Sequence, residues 1–195
     1  MDRIPPSDWV QRFAGLICAG GRVLDVASGP GRHARLLAAM GYRVEAVDRD
    51  ALALAALDGC AGIAVREADL EGGPWPYVTQ SFDGVVVTNY LYRPRFAALL
   101  DCLRPEGVLI YETFMTGNET MGRPSNPQFL LRAGELLDRV RARLTVIAFE
   151  QGRVDSPKPA VVQRICAVAS AVGRLPADGH ARLGQAPGGI ESCSR

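Results

Sequence analysis

The sequence predicts an α/β protein with one mainly parallel, seven-stranded sheet, an antiparallel last strand and helices on both faces. Short apolar runs alternate with helix-like segments along most of the chain, as in parallel sheets. The length of 195 residues suits one domain with one sizeable core. The last two apolar runs are joined only by the link VDSPKP, which is too short for a parallel crossover, so these two runs are expected to be antiparallel neighbours.

Each expected element carries a local signal. The first helix follows Pro5 and Pro6 and is capped by Ser7 and Asp8. Gly41 ends the second helix, because glycine tolerates the positive φ found at helix ends. The expected helices span 8–19, 32–40, 50–58, 94–103 and 128–139. The expected strands span 22–27, 43–48, 62–69, 82–90, 107–114, 143–152 and 161–170.

Composition and charge argue against several classes of partner and cofactor. Lys and Arg number 22 against 21 Asp and Glu, so the net charge of +1 gives no bulk attraction to nucleic acid or to an anionic membrane. The five cysteines are scattered without a Cys-x-x-Cys pair, so we expect neither a disulfide framework nor a metal site. The chain begins without the pattern of a signal peptide and has no apolar run long enough to span a membrane. We therefore expect a cytoplasmic protein.

The chain divides into one domain and a tail. Residues 1–173 hold all the expected elements, including the helix at the amino terminus. Residues 174–195 are rich in Gly, Pro and Ser without apolar periodicity, so we expect a flexible C-terminal tail there. The turn-rich stretch 114–126 is long enough to suggest a functional loop rather than a plain connection.

The segment VLDVASGPGRHA, residues 23–34, predicts a ligand-binding turn between a strand and a helix. Gly29 and Gly31 let the backbone approach a ligand, and the start of the helix offers free N–H groups. The segment matches the dinucleotide fingerprint G-x-G-x-x-A, so an NAD(P)-dependent oxidoreductase is one interpretation.

Three carboxylates at the ends of strands favour a different ligand. Asp25 stands four residues before Gly29, where a dinucleotide fold prefers an apolar residue. A carboxylate there can accept a hydrogen bond from an ammonium group, which NAD lacks and S-adenosylmethionine carries. Asp48 ends the second strand at the position that holds ribose hydroxyls in such sheets, and Asp69 ends the third, within reach of an adenine amino group.

At these residues the chain resembles the class I S-adenosylmethionine-dependent methyltransferases. VLDVASGPG resembles their motif I, hydrophobic-x-[DE]-x-x-x-G-x-G, with Pro30 in place of the commoner middle glycine. VEAVD, READ and FDGVVVTNYL resemble the three following motifs, and the resemblance covers roughly residues 20–170. It implies a Rossmann-like domain over 1–173 with a reversed seventh strand. GRHARLLAAMGYRVEAVDRD and YETF…GNE…GRPSNPQFLL resemble bacterial small-molecule methyltransferases related to tellurite-resistance methyltransferases.

The resemblance implies S-adenosylmethionine as cofactor and assigns residues to its parts. Asp25 and the glycine turn would hold the methionine part, and Asp48 the ribose. Asp69 with Leu70 would flank the adenine, and Asn89 would lie near the sulfur. The expected cofactor-binding residues are Asp25, Ala27, Ser28, Gly29, Gly31, Asp48, Arg49, Asp69, Leu70 and Asn89.

The acceptor is expected at the carboxyl ends of the strands, where ligands bind in open α/β sheets. The candidate catalytic residues there are His33, Tyr90, Tyr92, Glu112 and Arg123. An arginine at such a site can hold a carboxylate or oxyanion in bidentate fashion. Each candidate also has a structural interpretation: an exposed helix residue for His33, packing for the two tyrosines and turn formation for Glu112.

The sequence favours a small-molecule acceptor. Enzymes that methylate the amino groups of bases carry [DN]-P-P-[YF] where this chain has TNYL at 88–91, so a stacking platform for a flipped base is missing. We expect a monomer or homodimer that binds neither nucleic acid nor membrane. Two alternatives stay open: the oxidoreductase, and a non-catalytic S-adenosylmethionine-binding protein on the same scaffold, which turnover would distinguish.

Overall fold

The computed structural model describes residues 4–156 and 158–170, which build a seven-stranded sheet in the order β3-β2-β1-β4-β5-β7-β6. Neighbouring strands pair in parallel except β7, which is antiparallel to both β5 and β6. The predicted fold, including the reversed last strand, is confirmed. The predicted tail, 174–195, lies outside the described residues. The strands are β1 Arg22–Val26, β2 Arg43–Asp48, β3 Ile63–Glu67, β4 Phe82–Thr88, β5 Leu103–Phe114, β6 Thr145–Val154 and β7 Ala160–Val168.

Helices cover both faces of the sheet, which explains why the central strands are apolar nearly throughout. Trp9, Leu37 and Leu54 pack into the core on one face. Phe96 and Leu136 pack into the core on the other face. The α-helices are α1 Asp8–Phe13, α2 Arg32–Ala39, α3 Ala51–Ala55, α4 Phe96–Asp101 and α5 Glu135–Val140.

The first helix is shorter than the sequence predicts. The Ser7 hydroxyl accepts from the Trp9 N–H at 3.1 Å, which confirms the predicted cap. The α-helix ends at Phe13 and continues as a 3₁₀ turn over Ala14–Leu16. Trp9 and Phe13 are both buried and pack into the core on the face of the sheet that this helix covers.

The predicted helix over 128–139 is wrong for its first half. Only α5 is α-helical, because Gly134 has φ +72° and breaks the helix before Glu135. Upstream of it the chain forms a 3₁₀ turn over Pro127–Phe129 and is then extended: the Leu131 N–H donates to the Phe114 carbonyl at 3.0 Å, which prolongs the pairing of β5. Leu130 and Leu131 are buried as core residues of this extended segment.

The carboxyl ends of β1 to β6 lie along one edge of the sheet, and the hairpin from β6 into β7 turns at the same edge. Ala27 and Asn89 leave β1 and β4 with φ of +52° and +56°, a conformation that non-glycine residues rarely adopt. Such backbone concentrates at functional sites. This edge therefore holds the candidate site.

Candidate active site

The two glycines of the turn after β1 serve different purposes. Both have positive φ, +52° at Gly29 and +76° at Gly31. A Cβ on Gly31 would lie 2.4 Å from Cδ2 of Leu57, so this glycine lets α2 pack against the neighbouring core. A Cβ on Gly29 would meet nothing within 4 Å. The Gly29 N–H donates to Oδ2 of Asp48 at 2.7 Å, which fixes the turn to the end of β2 and leaves open space above it.

Alanine at these two glycines is expected to have different effects: Gly31→Ala mainly lowers stability, and Gly29→Ala mainly weakens ligand binding. Gly31→Ala should lower the free energy of unfolding by about 2–4 kcal/mol, because it adds a steric clash to the cost of the left-handed backbone. Gly29→Ala carries only the backbone cost, about 1 kcal/mol, but places a methyl group in the open space where a ligand would lie. Urea denaturation measures the first effect and ligand titration the second. Equal destabilisation by both changes would contradict this assignment.

Asp25 is a buried carboxylate that has no partner. Its side chain is 1% exposed, and neither carboxylate oxygen makes a hydrogen bond in the described part of the chain. Burial raises the pKa of Asp25 to about 7, with a smaller contribution from Asp48, while the nearby Ala34 amide, which does not reach hydrogen-bond geometry, and the charge of Arg32 oppose the rise. A buried polar group without a partner is costly to the fold. Its position behind the glycine turn fits an ammonium group that arrives with a ligand.

A cleft of about 120 Å³ lies beside the glycine turn, at the ends of β1, β2 and β3. Asp48 accepts there from two backbone amides, Gly29 at 2.7 Å and Asp50 at 3.0 Å, and its oxygens keep lone pairs for ribose hydroxyls. Asp69 accepts from the Glu71 amide at 2.9 Å, and such amide bonds lower its pKa. The cleft is lined by Ala27, Asp48, Arg49, Ala68, Asp69, Leu70, Glu71 and Tyr90.

These features together fit S-adenosylmethionine. The unpartnered carboxylate of Asp25 suits an ammonium group, the open space over Gly29 suits a chain lying against the turn, and the cleft suits an adenosine. Ser28, the remaining member of the predicted turn, is 8% exposed and its N–H donates to the Val47 carbonyl at 3.0 Å. The structure thus brings the predicted cofactor residues of β1, β2 and β3 to one place.

A second cavity of about 260 Å³ lies at the ends of β4 and β5. Four parts of the chain form its walls: the amino-terminal segment 4–8, Arg32 at the start of α2, the ends of β4 and β5 from Asn89 and Glu112, and the hairpin of β6 and β7. The cavity is lined by Ile4, Pro5, Pro6, Ser7, Asp8, Arg32, Asn89, Glu112, Phe114, Val154, Ser156, Lys158, Ala160, Val162 and Arg164.

Glu112 is the predicted candidate that the structure does place at this cavity. Its Oε1 accepts from the Ser7 hydroxyl at 2.9 Å, and its Oε2 lies 3.4 Å from Nη1 of Arg164. Its side chain is 15% exposed. The bond to Ser7 spans 105 positions in the sequence and attaches the amino-terminal segment to the end of β5.

His33 has a positioning role in the structure. Its ring is 1% exposed, and Nε2 accepts from the Ser7 N–H at 3.1 Å. Because Nε2 accepts, the neutral ring carries its proton on Nδ1, 3.2 Å from the Thr88 hydroxyl. Burial, with a smaller effect of Arg32, lowers the pKa of His33 to about 3. His33 therefore stays neutral and holds the amino-terminal segment, and it does not itself line the second cavity.

Three other residues expected on the acceptor side do not line the second cavity either. Tyr90 lines the cofactor cleft, where burial raises the pKa of its hydroxyl and leaves it without a hydrogen-bond partner among the described residues. Tyr92 is half-buried and Arg123 is exposed, and neither lines either of the two cavities. The sequence interpretation missed Ser7, Arg32, Lys158 and Arg164, which do line the second cavity.

Comparison with known proteins relates part of the chain to methyltransferases. Residues 23–107 match a family described as a methyltransferase domain. A sequence search of curated proteins returned no match. Among residues 4–156 and 158–170, no helix has the length and apolar character needed to cross a membrane.

Solved structures of methyltransferases share the fold at low sequence identity. An S-adenosylmethionine-dependent methyltransferase from Methanosarcina mazei is 13% identical with a TM-score of 0.66, covering 86% of this chain and 99% of that one. TehB from Haemophilus influenzae is 17% identical with a TM-score of 0.67, covering 83% and 61%. An S-adenosylmethionine-dependent methyltransferase from Mesorhizobium loti is 18% identical with a TM-score of 0.61, covering 83% and 97%.

The strand order, the family match and the cofactor cleft agree with one another. The matched residues 23–107 run from β1 to the start of β5 and contain every predicted contact to the cofactor. The match therefore favours the methyltransferase over the oxidoreductase as the interpretation of the glycine turn. Residues 23–107 thus match a methyltransferase-domain family within a sheet of the same fold as the solved methyltransferases, and this match and the cleft support S-adenosylmethionine as the cofactor.

Proposed function

We propose that the protein transfers a methyl group from S-adenosylmethionine to a small molecule bound in the second cavity. The observation that carries this proposal is the meeting of the two spaces at the end of β4. Asn89 borders the second cavity, and the next residue, Tyr90, borders the cofactor cleft. A molecule of modest size in the cavity would thus lie beside the cofactor. Proximity and orientation of this kind supply much of the catalysis in displacement reactions.

The residues at the cofactor cleft and those at the second cavity have separate roles. When bound, S-adenosylmethionine supplies an electrophilic methyl group on a sulfonium. Asp25 pairs with its ammonium group, and Asp48 holds its ribose hydroxyls. Glu112 takes the proton from the nucleophilic atom of an acceptor that arrives protonated, with Ser7 and Arg164 fixing the carboxylate. His33 acts through Ser7 by holding the amino-terminal segment in place.

The cover of the cavity supports a small acceptor. Residues Ile4 to Asp8 form one wall, and Arg32 donates to the Pro5 carbonyl at 3.3 Å. The space that is left, about 260 Å³, suits a molecule of metabolite size. The cytoplasmic location and the monomeric or homodimeric state stay predictions.

A transfer assay with a cell extract tests the class of acceptor. The purified protein is incubated with S-adenosylmethionine labelled in its methyl group and with an extract, and an ultrafiltration membrane then separates small molecules from macromolecules. We expect a labelled product in the filtrate that chromatography separates from unreacted S-adenosylmethionine, and we expect Glu112→Gln to reduce this product by about 100-fold or more. Transfer of label only to macromolecules in the retained fraction would contradict the small-molecule proposal. Cofactor binding without any transfer would favour the non-catalytic alternative.

Asp48→Ala is expected to weaken the binding of S-adenosylhomocysteine by about 10-fold or more, because it removes the ribose acceptor and frees the Gly29 amide. Asp50→Ala is the matched control. Asp50 lies two residues away and caps α3 through the Ala53 N–H at 3.1 Å. Its loss should cost about 1 kcal/mol of stability and leave the affinity unchanged. Calorimetric titration measures both, and an unchanged affinity for Asp48→Ala would show that the ribose lies elsewhere.

A further inference from the structure

The second cavity combines apolar walls with positive charge. Its apolar lining includes Phe114, Val154 and Val162. Three cations also line it, and they come from different elements: Arg32 from the start of α2, Arg164 from β7, and Lys158 from the hairpin before β7. The partners of each cation show which charges are balanced within the protein.

Arg164 is balanced by carboxylates of the protein. Its Nη2 lies 2.8 Å from Oε2 of Glu150, and its Nη1 lies 3.4 Å from Oε2 of Glu112. Its guanidinium also lies 5.0 Å from the ring centroid of Trp9. Two carboxylates and an aromatic face therefore hold Arg164, and its charge is not available to a further anion.

Arg32 is not balanced by any carboxylate at ion-pair distance within residues 4–156 and 158–170. Its side chain is half-buried and donates to the Pro5 carbonyl at 3.3 Å. Burial lowers the pKa of Arg32, and the more distant charges of Glu112 and Asp25 oppose this. An arginine stays charged in proteins, so its guanidinium keeps donors for an anionic partner.

Lys158 is the only lysine in the chain. It makes no ion pair or hydrogen bond with the described residues, and the nearest acid in sequence, Asp155, is paired with Arg153 at 3.0 Å. Its exposed side chain lines the cavity. A compact, mobile ammonium of this kind is suited to an anion that enters and leaves.

We propose that the acceptor is a small organic acid, whose anionic group is bound by Lys158 and Arg32 and whose apolar part packs on Phe114, Val154 and Val162. The proposal rests on the proposed function and names the substrate class for the same cavity. Lys158 is then the residue that determines specificity, since the guanidinium of Arg164 is held by Glu112 and Glu150. The remaining acid at the cavity, Asp8, is exposed and contacts Gln11 at 3.4 Å.

The single lysine allows a direct test. Reductive methylation with ¹³C-formaldehyde keeps the positive charge and labels Lys158 together with the terminal amine, and Lys158→Arg assigns the two signals. The labelled protein, saturated with S-adenosylhomocysteine, is titrated by NMR with phenylacetate and hexanoate and with their uncharged amides. We expect the two acids to shift the Lys158 signal saturably, and the amides to leave it in place.

Variants of the unlabelled protein complete the test. Lys158→Gln should weaken phenylacetate binding about 10-fold, while Lys158→Arg should largely retain it. Arg153→Gln, on the same hairpin but outside the cavity, should leave it unchanged. Arg32→Gln, titrated at saturating S-adenosylhomocysteine, should also weaken phenylacetate binding.

Three results would overturn the proposal: acids and amides acting alike, no response of Lys158 to any of them, or an unchanged affinity in Lys158→Gln. Failure of the proposed function is separate, because it would appear as an absence of methyl transfer into the small-molecule filtrate.

Discussion

Replacing Asp25 with asparagine is expected to make the protein more stable at pH 8 and to weaken its binding of S-adenosylhomocysteine. The folded state raises the pKa of this carboxyl from 3.8 to about 7. Between these values the folded state binds more protons than the unfolded state, so stability falls as the pH rises through this range. Above pH 7 the buried charge costs on the order of 1–4 kcal/mol. Asparagine has no such charge and should recover that energy.

The same substitution removes the partner of the ammonium group. Loss of a charge-assisted contact should reduce the affinity for S-adenosylhomocysteine by roughly 10- to 100-fold. Thermal unfolding at pH 4 and pH 8, with calorimetric titration at pH 8, measures both effects. Asp58→Asn, an exposed position outside the cleft, is the control and should change neither. A destabilised Asp25→Asn protein that binds normally would contradict the assigned role of Asp25.

Replacing Glu135 with glutamine is expected to give the largest loss of stability. Its carboxylate is 3% exposed and accepts from Arg93 at 2.8 and 2.9 Å, from Arg139 at 2.9 Å and from the Arg132 amide at 3.0 Å. Without the negative charge, the arginines are left around an uncharged group. Breaking a buried ion pair in this way costs about 3–5 kcal/mol, or roughly 10 °C in Tm for a domain of this size.

The matched control lies on the same helix. Asp138 pairs with Arg141 at 3.1 Å, and both side chains are more than 60% exposed. Asp138→Asn should therefore change the unfolding free energy by less than about 1 kcal/mol. Urea denaturation of the two variants gives the comparison, and similar losses would show that the Glu135 cluster contributes little.

The pH dependence of this cluster has the opposite sign to that of Asp25. Burial alone would raise the pKa of Glu135, but the bonds from Arg93, the Arg132 amide and Arg139 lower it to about 2, below its usual value of 4.5. The contribution of Glu135 is thus fully present above pH 4.5 and is lost as the pH falls toward 2. The difference between wild type and Glu135→Gln should shrink over that range.

The cofactor half of the site was predictable because its signals are local. Asp25, Gly29 and Gly31 lie within seven consecutive positions, and a strand followed by a helix fixes where they stand. Asp48 ends β2, and Asp69 follows the end of β3. The carboxyl ends of neighbouring parallel strands lie at the same edge of the sheet. The structure places all five around the glycine turn and its cleft.

The acceptor half depends on contacts between distant parts of the chain. Ser7 was predicted only as a helix cap, yet it also bonds to His33 and Glu112, 26 and 105 positions away. The position of Lys158 beside the site could have been predicted from the sequence. The predicted antiparallel pair requires its link to turn at the carboxyl edge, so VDSPKP had to lie beside the site. Arg123 was predicted at the site but does not line the cavity. A polar loop after β5 does not determine which of its side chains faces the cavity.

Calorimetric titration with S-adenosylhomocysteine, with NADH as the parallel control, tests the central claim most directly. The cofactor cleft at the ends of β1, β2 and β3 predicts one site for S-adenosylhomocysteine per chain, weakened by both Asp25→Asn and Asp48→Ala, and no binding of NADH. Binding of NADH alone, or binding of S-adenosylhomocysteine that neither substitution weakens, would contradict the account.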